Sequence, residues 1–215
     1  MTPLTLAIGF GAVGLVLGVV ADRLATRWPE HDEEHPAGRP IGWRTVVCAA
    51  FGAFAFAVLP LRFGGDQLAL ALFGAWFATL VVGMATDLDQ RLLPDILTLP
   101  VIPVALIYAV SGRNPLVGQE LLPAVVVAIA VPLVIYLLSI PFGAGAFGIG
   151  DVKLLVGVGL MSGGIRAFTG LVSGLFAAGV VLAILIVARR VTMKTYVPYG
   201  PFLLFGAVWG IFIRT

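Results

Sequence analysis

The sequence predicts an all-α, polytopic membrane protein, a bundle of about eight transmembrane helices. Of its 215 residues, 60% are hydrophobic and 11% are charged, and the mean hydropathy is +1.08. Soluble domains contain roughly 45–50% apolar and about 25% charged residues, so a soluble fold has no place for this much apolar surface. A membrane-spanning helix needs about 20 mostly apolar residues, and this length holds about eight short spans in one membrane domain, residues 1–215.

Apolar runs separated by charges or by Pro and Gly turns set the expected spans. They cover residues 4–21, 45–61, 67–86, 97–110, 121–141, 152–163, 168–188 and 200–213. The fourth, sixth and eighth runs are shorter than a full bilayer crossing, so we expect them to start deeper in the membrane or to continue into neighbouring loops. The first run lacks a basic segment before it and a cleavage site after it, which favours a retained span over a signal peptide.

The distribution of basic residues predicts the orientation, because cytoplasmic segments of membrane proteins are enriched in Lys and Arg. With the N-terminus outside, nine of the 13 basic residues are cytoplasmic and four are not. The cytoplasmic set is Arg23, Arg27, Arg39, Arg44, Arg91, Lys153, Arg189, Arg190 and Lys194, and the outer set is Arg62, Arg113, Arg166 and Arg214. Both termini are therefore predicted to lie outside, with residues 23–44 as a cytoplasmic loop.

Several classes of function are excluded by composition. The net charge of +2 and the sequence pI near 9.0 record membrane topology rather than nucleic-acid binding. Cys48 is the only cysteine and lies in an apolar run, which rules out an intrachain disulfide and a cysteine-based metal cluster. We therefore expect a lipid bilayer around the protein, no nucleic-acid partner and no cofactor.

Small residues recur along several of the predicted spans. Gly14 and Gly18 are separated by one helical turn, and Gly157 and Gly159 lie close together in the sixth run. Small residues at such positions allow two membrane helices to approach closely. We interpret them as packing positions.

The most informative residues are acids close to the membrane, because ionisable groups are costly there and are usually functional. One cluster, with Asp87, Asp89 and Asp95, lies between the third and fourth spans. The other, Asp151 and Lys153, opens the sixth span. Both clusters fall on the predicted cytoplasmic side.

Two carboxylates held close together cannot both ionise easily, so one keeps a proton and the pair can serve as general base and general acid. Such a pair can hydrolyse a peptide bond with water and without a nucleophilic side chain. Gly148 and Gly150 permit backbone conformations closed to other residues and bring the chain close to a substrate strand.

Each cluster also fits a simpler role. Asp151 after a glycine at a helix start is also typical of an ordinary N-cap. The first cluster also fits a solvated loop in which Arg91 supplies the opposite charge.

Three segments together resemble one enzyme family, the bacterial type IV prepilin peptidases. The run from Asp87 to Pro94 and Asp95 resembles the family's Asp-x6-Pro-Asp signature, and Gly148-Ile-Gly150-Asp151 resembles its Gly-x-Gly-Asp motif. The segment Val197-Pro198-Tyr199-Gly200-Pro201-Phe202 looks like the family's closing turn, and residues 14–29 look like a diverged first span.

The resemblance implies an intramembrane aspartic protease in the bacterial inner membrane, with its active site on the cytoplasmic side. Its substrates would be prepilin or pseudopilin precursors, cut after a short basic leader and before their hydrophobic helix. Asp87 and Asp151 would supply the catalytic carboxylates. Asp95 would orient the loop after Pro94, and Lys153 would act at the interface or tune the charge, whereas Asp89 matches no essential position.

The loop at residues 23–44 departs from the family pattern. Many members carry two Cys-x-x-Cys pairs there, which form a zinc domain linked to N-methylation, and this loop contains no cysteine. We therefore predict peptidase activity without committing to methylation. His31 and His35 formally fit a His-x-x-Glu-His metalloprotease pattern. Because they lie in a short loop between Pro29 and Pro36, we expect a solvated charge cluster and no metal.

Two other classes of function stay open. A transporter or channel would use paired acids as an ion or proton site, which predicts acids near the middle of the membrane. Both clusters instead lie at the ends of spans. A noncatalytic partner in a secretion or pilus machine is also compatible with the sequence, but it gives no reason for the Gly-x-Gly-Asp segment.

Overall fold

A computed structural model describes residues 2–31, 37–142, 147–190 and 199–213, and within these ranges the chain forms helices and contains no strand. The all-α prediction is confirmed. The helices are α1 (Pro3–Ala25), α2 (Trp43–Phe63), α3 (Gln67–Gln90), α4 (Asp95–Thr98), α5 (Val101–Val110), α6 (Leu121–Ser139), α7 (Ile149–Ser162), α8 (Gly164–Val187) and α9 (Gly200–Phe212), with a short 3₁₀ turn at Ile140–Phe142.

Five of these helices, α1, α2, α3, α6 and α8, are long and apolar enough to cross a membrane. The other apolar runs form shorter helices. The run predicted at residues 97–110 is divided into α4 and α5 at Pro100, which has no N–H to donate and whose ring crowds the preceding turn. The described helices therefore support a multi-pass membrane protein, with five helices of full spanning length among them, and the count of about eight spans stays a prediction.

Glycines allow the closest approach between α1 and α2. A Cβ atom built on Gly14 would lie 2.1 Å from the carbonyl oxygen of Gly52, and one built on Gly18 would lie 2.2 Å from that of Cys48. No side chain fits at these crossings, so the backbones are in direct contact. The packing role predicted for Gly14 and Gly18 is confirmed.

Glycines also allow close contact in other pairs of helices. A Cβ atom on Gly159 of α7 would lie 2.6 Å from the Cα atom of Ala128 in α6, and one on Gly157 would lie 3.2 Å from the side chain of Val101 in α5. In the last pair, a Cβ atom on Gly170 of α8 would lie 2.4 Å from the carbonyl oxygen of Gly206 in α9. These contacts fix α7 and α9, and both helices begin at the site described below.

Helix α3 is the most enclosed of the long helices and packs against α1, α2 and α9. At its N-terminal end Phe73 stacks on Phe63 of α2, with ring centroids 4.2 Å apart, and meets Trp76 edge to face. Asp66 caps this end by accepting a hydrogen bond from the backbone N–H of Ala69. The C-terminal end of α3 carries the first acidic cluster.

Candidate active site

Asp87 and Asp89 lie in the last turns of α3, where they are 5% and 6% exposed. The helix continues until Arg91 adopts a left-handed conformation with φ of 55°, and its N–H donates to the carbonyl oxygen of Asp87 at 2.9 Å. The interpretation of these two acids as part of a solvated loop is therefore wrong. It fits only Asp95, whose side chain is 61% exposed at the start of α4.

Asp151 is the third residue of α7, and Gly148 is the N-cap. The backbone of Gly148 forms a hydrogen bond with the Asp151 carboxylate, which is the returning half of a capping box. The prediction that Asp151 itself is the N-cap is wrong, because the N-cap is Gly148, three residues earlier. Its carboxylate nevertheless contributes to capping, because it reaches back over the first turn.

The two glycines of this segment do not adopt unusual backbone conformations. Gly148 has a φ of −70° and an extended ψ, and Gly150 lies inside the helix. The expectation of conformations closed to other residues is therefore wrong. Gly150 instead permits a close approach, since a Cβ atom there would lie 3.0 Å from the Cβ atom and 3.1 Å from the carbonyl oxygen of Leu93. The start of α7 thus packs against the segment that leads to Pro94.

Asp87 and Asp151 face one pocket of about 380 Å³, formed where α3, α4 and α7 meet. Its lining also includes most of the other residues that the sequence singled out. The lining residues are Asp87, Arg91, Leu92, Leu93, Asp95, Gly148, Ile149, Gly150, Asp151 and Lys153. Pro94 is not part of the lining, but as the N-cap of α4 it sets the direction of the chain between Leu93 and Asp95.

The two pocket acids differ in their contacts. Oδ2 of Asp87 is buried and has no hydrogen-bond partner among the described residues, whereas the Asp151 carboxylate is held by the backbone of Gly148. Buried polar atoms in proteins are almost always hydrogen-bonded, so an unpartnered carboxylate oxygen in a pocket calls for a functional explanation. Asp87 also contributes to the pocket lining, and a pocket carboxyl without such a partner can bind a water or a substrate group.

Lys153 and Asp95 form an ion pair at the rim of the pocket, with 2.6 Å between Nζ and Oδ1. The pair joins α4 to α7. The orienting role of Asp95 stays a prediction, and the Lys153 side chain is directed to Asp95.

A second group of charged residues includes Asp89, and the sequence did not predict that its members come together. Arg39 forms ion pairs with both Asp22 of α1 and Asp89 of α3, and Asp22 also pairs with Arg23. Burial lowers the pKa of the Arg39 guanidinium, but hydrogen bonds to Asp89 and Asp22 outweigh this and hold the pKa above its usual value.

Further hydrogen bonds reach the carboxylates of Asp22 and Asp89. Thr45 donates to Oδ2 of Asp22 at 2.6 Å, and Nη1 of Arg44 donates to Oδ1 of Asp89 at 3.1 Å. We call this group, Asp22, Arg23, Arg39, Arg44, Thr45 and Asp89, the ionic cluster. The sequence did contain a signal for it, since Asp22 is an acid in the last turn of an apolar helix.

His31 contacts the ionic cluster, with 3.1 Å between Nε2 and Oδ2 of Asp89. Residues 32–36 lie outside the described residues, so the pattern from His31 to His35 is not tested. Among the described residues, no group of three or more His, Cys, Asp or Glu side chains is arranged to hold a metal ion. Val197 and Pro198 of the closing turn also lie outside the described residues, and Gly200 begins α9.

Comparison with known proteins supports the resemblance. Residues 75–188 match the model of the type IV leader peptidase family, and both pocket acids lie in that range. The chain is 31% identical over 178 residues to the prepilin leader peptidase/N-methyltransferase of Burkholderia pseudomallei, covering 82% of this chain and 57% of that protein. It is 27% identical over 190 residues to the protein of that name from Dickeya chrysanthemi, covering 84% of this chain and 63% of that one.

Another relative is the type 4 prepilin-like proteins leader peptide-processing enzyme of Escherichia coli O78:H11, which is 30% identical over 163 residues, or 75% of this chain and 58% of that protein. The matches span roughly three fifths of the length of these curated relatives. No solved structure matches the chain. The family match covers more than half of the sequence, and the chain belongs to the type IV leader peptidase family.

Proposed function

We propose that this protein is a membrane aspartic endopeptidase that removes the leader from type IV prepilin-like precursors, with Asp87 and Asp151 as its catalytic pair. One observation carries the proposal, namely that the buried Asp87 and the partly buried Asp151 line a single pocket, and that Oδ2 of Asp87 has no hydrogen-bond partner among the described residues. The names of the relatives, which state prepilin leader processing, support the choice of substrate.

The chemistry follows from a pair of acids that shares one proton. The ionised carboxylate takes a proton from a water molecule in the pocket, and the protonated carboxyl polarises the carbonyl group of the scissile bond. Water attacks the carbonyl carbon, the C–N bond breaks, and the departing amine receives a proton. Because the two groups are coupled, the titration belongs to the pair.

Basic residues near the pocket support a cytoplasmic active site. Arg23, Arg39 and Arg44 belong to the ionic cluster, which includes Asp89, only two residues beyond Asp87. Arg91 and Lys153 line the pocket itself. An excess of basic residues is typical of the cytoplasmic side of a membrane protein. The proposed cleavage thus takes place at the inner face of the bacterial cytoplasmic membrane.

The proposal is limited to leader removal. N-methylation is part of the names of the Burkholderia and Dickeya relatives, but the loop at residues 23–44 lacks the cysteines through which the resemblance links that activity to zinc. The transporter alternative predicted acids at mid-membrane. Asp87 and Asp151 lie in the terminal turns of their helices, which favours the protease.

Co-expression with a prepilin-like substrate tests the proposal. We expect the wild-type protein to remove the leader and the variants Asp87→Asn and Asp151→Asn to lower the initial rate by at least about 100-fold, since each removes an acid–base group. Asp66→Asn is the matched control, because Asn caps the start of α3 as well as Asp does. Cleavage at the wild-type rate by either pocket variant, at equal protein levels in the membrane, contradicts the catalytic assignment.

A further inference from the structure

Gly200, the first residue of α9, is buried against the carboxyl group of Asp87. A Cβ atom built on Gly200 would lie 2.4 Å from Oδ2, 2.5 Å from Cγ and 2.6 Å from Oδ1 of Asp87. All three distances are far below van der Waals contact. The Asp87 carboxyl therefore occupies the space that any side chain at position 200 would need.

This contact differs from the other close approaches of glycine in the described residues. At Gly14, Gly18 and Gly170 the nearest atoms are backbone carbonyl oxygens of a neighbouring helix, which is ordinary helix packing. Among the glycines that the structure describes, only Gly200 has three nearest atoms, all closer than 3.0 Å, that belong to an ionisable side chain. The missing side chain at Gly200 makes room for a functional group rather than for a helix.

The start of α9 contacts the Asp87 carboxyl group through van der Waals packing and offers it few hydrogen-bond donors. Pro201 has no backbone N–H, and the N–H groups of Phe202 and Leu203 both donate to the carbonyl oxygen of Tyr199. These donors are therefore not available to Asp87, in agreement with the unpartnered Oδ2. On this side the carboxyl group is therefore restrained by steric contact and not by hydrogen bonds to these two N–H groups.

The position of α9 is itself fixed by α8. A Cβ atom on Gly206 would lie 2.3 Å from the carbonyl oxygen of Gly170, and one on Gly174 would lie 2.4 Å from that of Phe202. The two backbones are in contact over two turns, so α9 presents a rigid surface to Asp87. Because α9 cannot move away, its contact restricts the side-chain torsions of Asp87.

We infer that Gly200 is a positioning residue for the proposed reaction: its lack of a side chain lets α9 close against Asp87 and hold the carboxyl group toward the pocket shared with Asp151. The inference rests on the proposed function. It adds a residue from outside the matched range 75–188, on a helix that contributes no lining residue to the pocket.

Kinetics of leader removal provide the first test. Gly200→Ala forces the Asp87 carboxyl to rotate, and a displacement of about 1 Å in a reacting group can lower the rate about 100-fold. We expect kcat to fall by that order with KM nearly unchanged, because substrate binding is not altered. Gly179→Ala is the control, since no atom lies within 4 Å of its Cβ position on α8. A kcat of Gly200→Ala equal to that of the control overturns the inference.

A stability cycle tests the contact itself without any activity. Gly200→Ala is compared in the wild type and in Asp87→Ala, which removes the carboxyl group, by thermal unfolding in detergent micelles. We expect a clear loss of Tm in the wild type and a much smaller one in Asp87→Ala. Equal losses in both backgrounds overturn the inference, because they assign Gly200 a role independent of Asp87. If Gly200→Ala fails to accumulate alone, recovery in the double variant supports the contact, and failure of both contradicts it.

The two proposals fail in different ways. If Asp87→Asn still cleaves the substrate, the proposed function is wrong, whatever the stability cycle gives. If Asp87→Asn is inactive while Gly200→Ala cleaves at the wild-type rate, only the positioning role is wrong.

Discussion

Two pairs of acids lie at the same end of the bundle and differ in their surroundings; Asp22, Asp87 and Asp89 are buried, and Asp151 is partly buried. Asp22 and Asp89 are bridged by Arg39 in the ionic cluster, where each carboxylate is paired with arginine side chains. Asp87 and Asp151 instead share a pocket, and Oδ2 of Asp87 has no hydrogen-bond partner among the described residues. Burial alone therefore does not distinguish a structural acid from a candidate catalytic one.

The contrast is sharpest between Asp87 and Asp89, which are equally buried on α3. Two residues along an α-helix point about 200° apart around its axis. Asp89 therefore faces Arg39 and Arg44, whereas Asp87 faces α7 and the start of α9. An acid that holds helices together is stabilised by neighbouring positive charges. An acid that exchanges protons instead needs contact with a pocket that water or substrate can enter.

The largest expected difference is between the isosteric variants of these two neighbours. Asp87→Asn should lower the rate of leader removal by at least about 100-fold, and it should leave Tm unchanged or raise it, because it removes a buried charge. Asp89→Asn should keep measurable activity but lower the free energy of unfolding by about 2 kcal/mol, since Arg39 and Arg44 each lose a charged hydrogen-bond partner. Initial cleavage rates and thermal unfolding in detergent measure both effects.

The reverse outcome would exchange the roles of the two acids. If Asp89→Asn were inactive at unchanged Tm while Asp87→Asn still cleaved, Asp89 would be the catalytic residue. The control for protein level is Asp66→Asn, which lies at the far end of the same helix.

Arg39 provides the next largest effect, on stability. Arg39→Met leaves Asp22 and Asp89 without the cation that bridges them, and breaking a buried ion pair in this way costs about 3 kcal/mol. The Tm of Arg39→Lys should lie between those of Arg39→Met and the wild type. Lysine keeps the positive charge, but its single ammonium group cannot bind both carboxylates as the guanidinium does. Thermal unfolding of the three proteins in one detergent gives the order. A Tm of Arg39→Met equal to that of the wild type contradicts the stabilising role of the ionic cluster.

Most of the helices could be predicted from apolar runs, because the bilayer imposes a length and a composition on each span. The end of α3 lies at Gln90, four residues beyond the end of the apolar run at residue 86. An apolar run stops at the first acid. The helix continues, because Asp87 faces a pocket and Asp89 meets Arg39, and neither partner is visible in the local sequence.

The site was predictable where its residues are close in sequence or match a known pattern. Asp87, Asp151 and the residues around them were named from two such segments, and the structure brings them to one pocket. The contact between Arg39 and Asp89 joins positions 50 residues apart, and that between Gly200 and Asp87 depends on the path of α9. Contacts of this kind are set by packing and have no signature in composition or spacing.

The ion pair between Lys153 and Asp95 should show the smallest effect, although it is shorter than several contacts of the ionic cluster. Asp95 is 61% exposed on its side chain, and exposed pairs contribute about 0.2–1 kcal/mol because water screens the charges. Lys153→Met should therefore change Tm very little, in contrast to Arg39→Met. If it lowered Tm as much as Arg39→Met does, burial would not be what separates the two groups of charges. A change in KM at constant Tm would instead indicate that this ion pair contacts the substrate.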